Sequence, residues 1–395
     1  MVKRRYLILG CLLLLAVWVG GCGQAEPLPT PTPTRTPVPQ ATATLPPTAT
    51  PPPPTPTEVP TETPFVVTPL PPDVNPLTGL QVEDIAILER IPVAIKVSNS
   101  PQVRPQSGLG SADLVFEHLA EGGITRFTGV FYGSDPERVG SVRSGRLIDT
   151  EIPAMYGALF GYSGSSAGVK ERYRNSDLFP QHIASPDFGV GTPYFSRVPQ
   201  EGKAFEHTLF ADPQALRQLA EERGINARPE YERYMTFSET PPDGGLPVEY
   251  FEINYLLNVC TAEWRYDSDL GKWRRSMAGT VHSDYLTGEQ ITADNVVIVY
   301  ANHIEADFWE EMIGDMSRWK RSVEIQIWGH GPVLVLRDGQ MFNGHWERAE
   351  RNHMLTFWFN EEDPIPLKPG NTWFQMVTLG AESTEFADNQ YRFTP

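Results

Sequence analysis

The fifty residues from Gly23 to Pro72 are dominated by Pro and Thr, in runs such as PLPTPTPTRTPVPQ and PPPPTPTEVPTETP. A stretch with so little to bury cannot offset the entropy of ordering its backbone, so no core forms from it. Any folded structure must come from the chain after Pro72. Pro also fixes φ and favours polyproline II, so fifty residues at about 3.1 Å each could reach on the order of 150 Å. The segment reads as a disordered spacer, and Thr beside Pro would also permit O-glycosylation as in mucin-like stalks.

Ahead of the spacer stand Lys3, Arg4 and Arg5, an apolar run from Leu7 to Val19, and then VWVGGC, ending at Cys22. Basic residues, an apolar run and small residues in that order are the parts of a signal peptide. The run is shorter than the roughly 20 residues that a membrane span needs. Val19, Gly20 and Gly21 before the cysteine resemble the lipobox of bacterial lipoproteins, which implies cleavage before Cys22 and palmitate-type lipid on its thiol. On this reading residues 1–21 are a lipoprotein signal peptide, and 22–72 are the lipidated cysteine and linker. The protein is then held to the cell membrane, on its extracytoplasmic side, by a lipid anchor.

The formal charge is −17, and losing Lys3, Arg4 and Arg5 makes it more negative by three. Such a surface repels phosphate backbones, so nucleic acid is set aside as a partner. Of three cysteines, Cys11 lies in the signal segment and Cys22 is the lipid site. Only Cys260 is left in the folding part, so no disulfide can form within it, and its strand-like setting, YLLNVCTAEWRY, suits a small core residue.

From residue 73 to about 243 the chain alternates strand-like runs (PVAIKVS, ADLVFEHL, ITRFTGVFY) with helix-like ones. In ADPQALRQLAEERG, Asp212 is a natural N-cap, Pro213 fits the first helical position and Gly224 follows the end. After the breaker run TPPDGGLP (Thr240–Pro247), residues 244–395 are rich in alternating runs, with a turn at Asp267–Gly271. ADFWEEMIGDMSRWK interrupts them, and its Trp309, Ile313 and Met316 are spaced for one helix face. The expected fold class is α+β: an N-terminal mixed α/β domain at 73–243 and a mostly antiparallel β domain at 244–395.

Five segments then combine into a familiar pattern: NPLTGL (75–80), RPQSGLGSADLVFEHLAEGGITRF (104–127), VGSVRSGR (139–146), WRYDSDLGKWRR (264–275) and LKPGNTW (367–373). The chain resembles the YerB-like family of bacterial lipoproteins, made of two consecutive domains of unknown function. The resemblance implies a surface lipoprotein and supplies no activity, substrate or catalytic residue. Departures include Ser141, where Pro is expected, and YSGSS (162–166), where relatives often carry His-Gly-Gly-Ser.

Two clusters carry the candidate site. In FEHLAEGGITRFTGVF (116–131), a four-residue turn at Ala120–Gly123 would pair Glu117 with Arg126 as a structural cross-strand ion pair and leave Glu121 at the tip. In SVRSGR, Arg143, Ser144 and Arg146 offer guanidinium forks and a hydroxyl suited to a carboxylate or phosphate. Glu121, Arg143, Ser144, Arg146, His118 and Asp113 therefore form the candidate anion or ligand site, the alternative being internal pairing of Arg143 with Glu121 or Asp113. Eight of the nine Trp residues fall between Trp264 and Trp373. They read as core, or else as an exposed platform for sugars.

No nucleophile elbow, zinc helix or calcium loop is complete, no cofactor or metal is implied, and no catalytic residue is assigned. Whether the protein is an enzyme is left open, leaning against. The favoured expectation is a lipoprotein that binds or organises a cell-envelope polymer or protein. An envelope hydrolase using Glu121, His118 or Asp113, and a protein–protein scaffold, are the alternatives.

Overall fold

β1 (Val93–Ser98) is buried along its whole length. Val93, Ile95 and Val97 enter one apolar cluster and Ala94 another, so the strand is covered on both faces and its sequence is nearly continuously apolar. It pairs antiparallel with β3 (Thr125–Phe131) and parallel with β4 (Leu159–Gly161). β3 in turn pairs antiparallel with β2 (Leu114–Leu119), and β4 pairs parallel with β5 (Ile183–Ala184). In this computed structural model, residues 70–311, 315–316 and 319–395 are described. The signal segment, Cys22 and nearly all of the linker lie outside them.

The second half of the chain supplies β6 (Tyr250–Ile253), β7 (Ala262–Asp267), β8 (Lys272–Met277), β9 (Asn295–Glu311), β10 (Lys320–Gln326), β11 (Gly329–Arg337), β12 (Gln340–Arg348), β13 (Thr356–Asn360), β14 (Asp363–Pro364), β15 (Thr372–Thr378), β16 (Glu382–Ala387) and β17 (Gln390–Thr394). A thirteen-stranded sheet runs in the order β14-β13-β12-β11-β9-β15-β2-β3-β1-β4-β5, with β10 attached to β9 and Leu246–Pro247 to β12. Its two halves join where β15 lies parallel to β2, Val115 opposite Trp373 and Phe116 opposite Phe374. A smaller sheet contains β8-β7-β6-β17-β16.

One apolar cluster fills the space between the sheets, with Val97, Val115 and Phe127 in the same core as Phe251, Trp264 and Trp273. The other covers the opposite face, where Phe116, Val130 and Phe374 pack with α1 (Ile152–Tyr156) and α2 (Ala167–Arg174). Both clusters and all the described strands belong to one unit, Thr63–Pro395, which therefore carries its own core.

The α+β expectation, with a mixed α/β first domain, is overturned. Among the described residues strands make up 41% and helical turns 16%, and there are three α-helices. Helix-like runs between the early strands are cut short: α1 stops after five residues at Gly157, and α2 buries only Val169 and Tyr173. Only α3 (Pro213–Glu222) has the limits read from its sequence, with Asp212 accepting from the Ala215 N–H at 3.0 Å. The helix expected within 306–320 is also corrected, because β9 runs on to Glu311 and pairs there with β10, Trp309 opposite Arg321. Over so short a run, apolar residues fit a period of two as well as one of 3.6. Partners across the sheet decide between them.

The hairpin register differs by one residue. Gly122 and Gly123 both take positive φ, and the Ala120 N–H donates to the Ile124 carbonyl, so the turn is one residue longer than four. Glu117 then faces Phe127, and Arg126 faces His118. A one-residue slip moves a side chain to the other face. The expected Glu117–Arg126 ion pair therefore does not exist; Glu117 points between the sheets and Arg126 to the opposite face.

Candidate functional site

The segment from Ser141 to Gly145 threads between the ends of two parallel strands. The Ser98 N–H donates to the Ser141 carbonyl and the Arg143 N–H to the Lys96 carbonyl, while the Ser163 N–H donates to the Arg143 carbonyl. β1 ends at Ser98 and β4 at Gly161, so the loops following both strands converge here. A cavity of about 600 Å³ opens beyond these carboxyl ends. Crevices at such ends are where ligands commonly sit in sheets with parallel strands. Glu121, Arg126, Arg143, Ser144, Arg146 and Glu310 line it, along with hydroxyls of the loops after β1 and β4.

Arg146 organises the wall. Its Nε holds Glu121, and its Nη1 lies 3.0 Å from Glu310 and donates to the Gly145 carbonyl at 2.9 Å. Its backbone N–H donates to Asp149 at 2.7 Å. Glu121 also accepts from the Val323 N–H at 3.4 Å, which ties the hairpin turn to β10. Glu310 accepts from the hydroxyl of Ser166, the N-cap of α2, at 2.7 Å. Burial raises the pKa of Glu310, with the charge of Glu121 adding to it and Arg146 opposing. Phe308, two residues earlier on the strand, packs so closely on Gly168 that a Cβ there would lie 2.2 Å from its ring. A glycine in α2 is thus what lets β9 reach the cavity.

Arg126 and Arg143 are placed differently. Arg126 donates to the Ser144 carbonyl at 3.1 Å and Arg143 to the Glu206 carbonyl at 3.3 Å. Among the described residues neither has a carboxylate within 4 Å. Burial lowers the pKa of both, and the neighbouring Arg146 lowers it further. With an intrinsic value above 12, arginine stays charged. Three guanidinium groups thus share one recess with two carboxylates, and both carboxylates are already committed to Arg146.

Of the expected site residues, Glu121, Arg143, Ser144 and Arg146 meet in this cavity. Asp113 does not line it. It accepts from Asn75 at 2.7 Å and from the Tyr132 and Gly133 N–H groups at 2.7 and 3.1 Å, pinning the start of the fold to the end of β3. Burial raises its pKa. His118 does not line it either: it is fully buried, with Lys96 Nζ donating to its Nε2 and its Nδ1 donating to the Leu119 carbonyl at 3.0 Å. Burial, then the Lys96 charge, holds His118 well below its usual pKa. Lys96 pairs with Asp149 at 2.8 Å, and burial pushes its pKa down to about 8. This network is enclosed and offers no surface to a ligand.

Arg126 and Glu310 are additions to the site. The register shift conceals Arg126 in the sequence, and the helix-like appearance of 306–320 conceals Glu310. Trp264, Trp273, Trp346 and Trp373 are at most 1% exposed, so these four form core and no sugar platform. Glu117, removed from Arg126, pairs with Arg275 at 2.6 Å between the sheets, where the guanidinium lies over Trp264 and Trp373.

Family models of a protein of unknown function match the chain twice: the DUF3048 N-terminal domain over residues 77–226 and the DUF3048 C-terminal domain over 251–374. A Bacillus subtilis (strain 168) protein named "Putative lipoprotein YerB" is 29% identical over 309 residues, which is 76% of this chain and 85% of that protein. A crystal structure of YerB from Bacillus subtilis superimposes with a TM-score of 0.62 at 27% identity, covering 77% of this chain and 96% of the other.

Proposed function

Because the chain belongs to the YerB-like family, with its paired DUF3048 domains, we propose that it is a lipid-anchored extracytoplasmic lipoprotein whose cavity binds an anionic component of the cell envelope. The leader, lipobox and spacer support the location: a lipid on Cys22 and about fifty linker residues would hold the folded unit away from the membrane surface. One observation carries the binding role. Arg126 and Arg143 face a cavity of about 600 Å³ without a carboxylate partner among the described residues, in a chain whose formal charge is −17. An acidic protein that keeps two such cations in a recess has not used its many carboxylates to neutralise them. A phosphate or carboxylate can take bidentate hydrogen bonds from them, with the serine hydroxyls completing its shell.

The test is titration of inorganic phosphate and of glycerol phosphate polymer into the protein and into its Arg126→Ala and Arg143→Ala variants. Each variant should weaken binding about tenfold or more, as loss of one charge-assisted contact of about 1.5–3 kcal/mol implies. Unfolding temperature should stay within a few degrees for Arg143→Ala. Equal binding by wild type and both variants would refute the assignment. The hydrolase reading with His118 or Asp113 as acid or base gains nothing from the structure, because both groups are enclosed and already hydrogen-bonded.

A further inference from the structure

Leu256 and Leu257, in the loop between β6 and β7, are 67% and 40% exposed, although the core just behind them is fully formed. They do not stand alone. They lie against the hairpin turn, with Leu257 Cγ 3.0 Å from where a Cβ on Gly123 would be. Together with Leu119, Trp309, Trp319 and Val323 they line a groove of about 580 Å³. Trp309 and Trp319 meet edge to face with centroids 5.5 Å apart, and Arg321 lies 4.6 Å from the Trp309 ring centroid. Glu305, Lys320 and Arg321 also line the groove, with Arg321 4.0 Å from Glu305.

The groove and the arginine cavity share one wall. Ala120, Glu121 and Gly122 line both, so the two recesses lie on either side of a single turn. One offers guanidinium and hydroxyl groups beside two carboxylates held by Arg146, the other mainly apolar side chains. A ligand whose anionic head occupies the first and whose chain passes over that turn would reach the second. We propose that these two adjacent recesses together take an amphiphile, a lipid carrying a phosphate headgroup, with the phosphate among Arg126, Arg143 and Arg146 and the hydrocarbon chain along Leu256, Leu257 and Trp309. This rests on the anion-binding reading above and adds the chemical class of the ligand. A sugar ring suits the groove less well: Arg321 already covers a Trp309 face, and the exposed leucine pair offers a sugar no hydrogen bonds. Exposed contiguous leucines outside a core are an apolar contact surface awaiting an occupant, and the arginines across the same turn select one that is anionic at one end.

The experiment uses the unit Thr63–Pro395 and calorimetric titration of butyl, octyl and dodecyl phosphate below their micelle-forming concentrations. Inorganic phosphate, glucose 1-phosphate and octyl glucoside serve as controls. Affinity should rise with chain length, by about twofold to fourfold per buried methylene until the groove is filled. Octyl glucoside, without the phosphate, should bind at least tenfold more weakly than octyl phosphate. Leu256→Ser, and Leu256→Ser with Leu257→Ser, should flatten the chain-length dependence and leave inorganic phosphate binding unchanged. Because Leu256 is largely exposed, its replacement leaves the fold intact, which the unfolding temperature verifies. If butyl phosphate binds but dodecyl phosphate binds no tighter, the lipid assignment falls and the anion site stands. Tighter binding of glucose 1-phosphate than of any alkyl phosphate would replace the lipid with a glycan phosphate. Octyl glucoside matching octyl phosphate would show an apolar groove indifferent to charge and overturn the proposal. No binding of any phosphate would overturn the anion-binding reading itself.

Discussion

Replacing Glu117 by Gln probes the contact that joins the two halves of the chain. Glu117 is fully buried on β2, and its Oε2 receives Arg275 Nη2 of β8 at 2.6 Å. Its other oxygen accepts from Thr125 at 2.7 Å and Asn99 at 3.3 Å. Arg275 is equally buried; it also donates to His282 at 3.0 Å and lies 4.5 and 4.9 Å from the Trp373 and Trp264 centroids. Gln is nearly the same shape as Glu, so packing survives while the guanidinium loses its counter-charge in a dry site. Breaking a buried pair in this way costs about 3–5 kcal/mol. At about 2 °C per kcal/mol, the low end appropriate to a unit of this size, the unfolding temperature should fall on the order of 6–10 °C. Differential scanning calorimetry measures it. The double variant Glu117→Gln with Arg275→Met removes the stranded charge, so its loss should be smaller than the sum of the two single losses by about 1–3 kcal/mol. A fall under 2 °C for Glu117→Gln, or strict additivity in the cycle, would refute the view that this ion pair ties the sheets together.

Two further expectations concern the rest of the chain. His118 and His282 are both held well below 6.5 by burial, with Lys96 and Arg275 respectively as the nearest cations. The unfolded chain therefore takes up protons below about pH 6.5 that the folded chain refuses; stability is full above that pH and declines as the pH falls through and below it. His282→Gln should make the difference in unfolding temperature between pH 7.5 and 5.5 smaller than in wild type, and an unchanged difference would remove His282 from this account. Cys22→Ser should abolish incorporation of labelled palmitate and release the protein from the membrane fraction; retention of label in that variant would refute lipidation at Cys22.

Parts of this molecule are legible locally. The Pro/Thr run excludes itself from any core by composition, and VWVGGC marks an expected processing site without reference to a fold. The helix at Pro213–Glu222 is specified by its own cap, its proline and the following glycine, all interactions within a few residues. The clustering of Glu121, Arg143, Ser144 and Arg146 could be anticipated because one short segment carries three of them and the hairpin turn carries the fourth. Other features depend on partners far away along the chain. Whether Glu117 faces Arg126 or Arg275 turns on one extra residue in a glycine turn, and the energy that selects the register comes from Arg275, 158 positions later, and from the Trp rings around it. Whether 306–311 is helix or strand is decided by β10 and by the close approach of Phe308 to Gly168, which delivers Glu310 to the cavity. Propensity and spacing act over a few residues, whereas register and burial are settled by which surfaces meet. The sequence by itself therefore determined where the chain can fold and which residue types could bind an anion. Only the tertiary structure decided that Arg126 and Glu310 belong with them and that Asp113 and His118 do not.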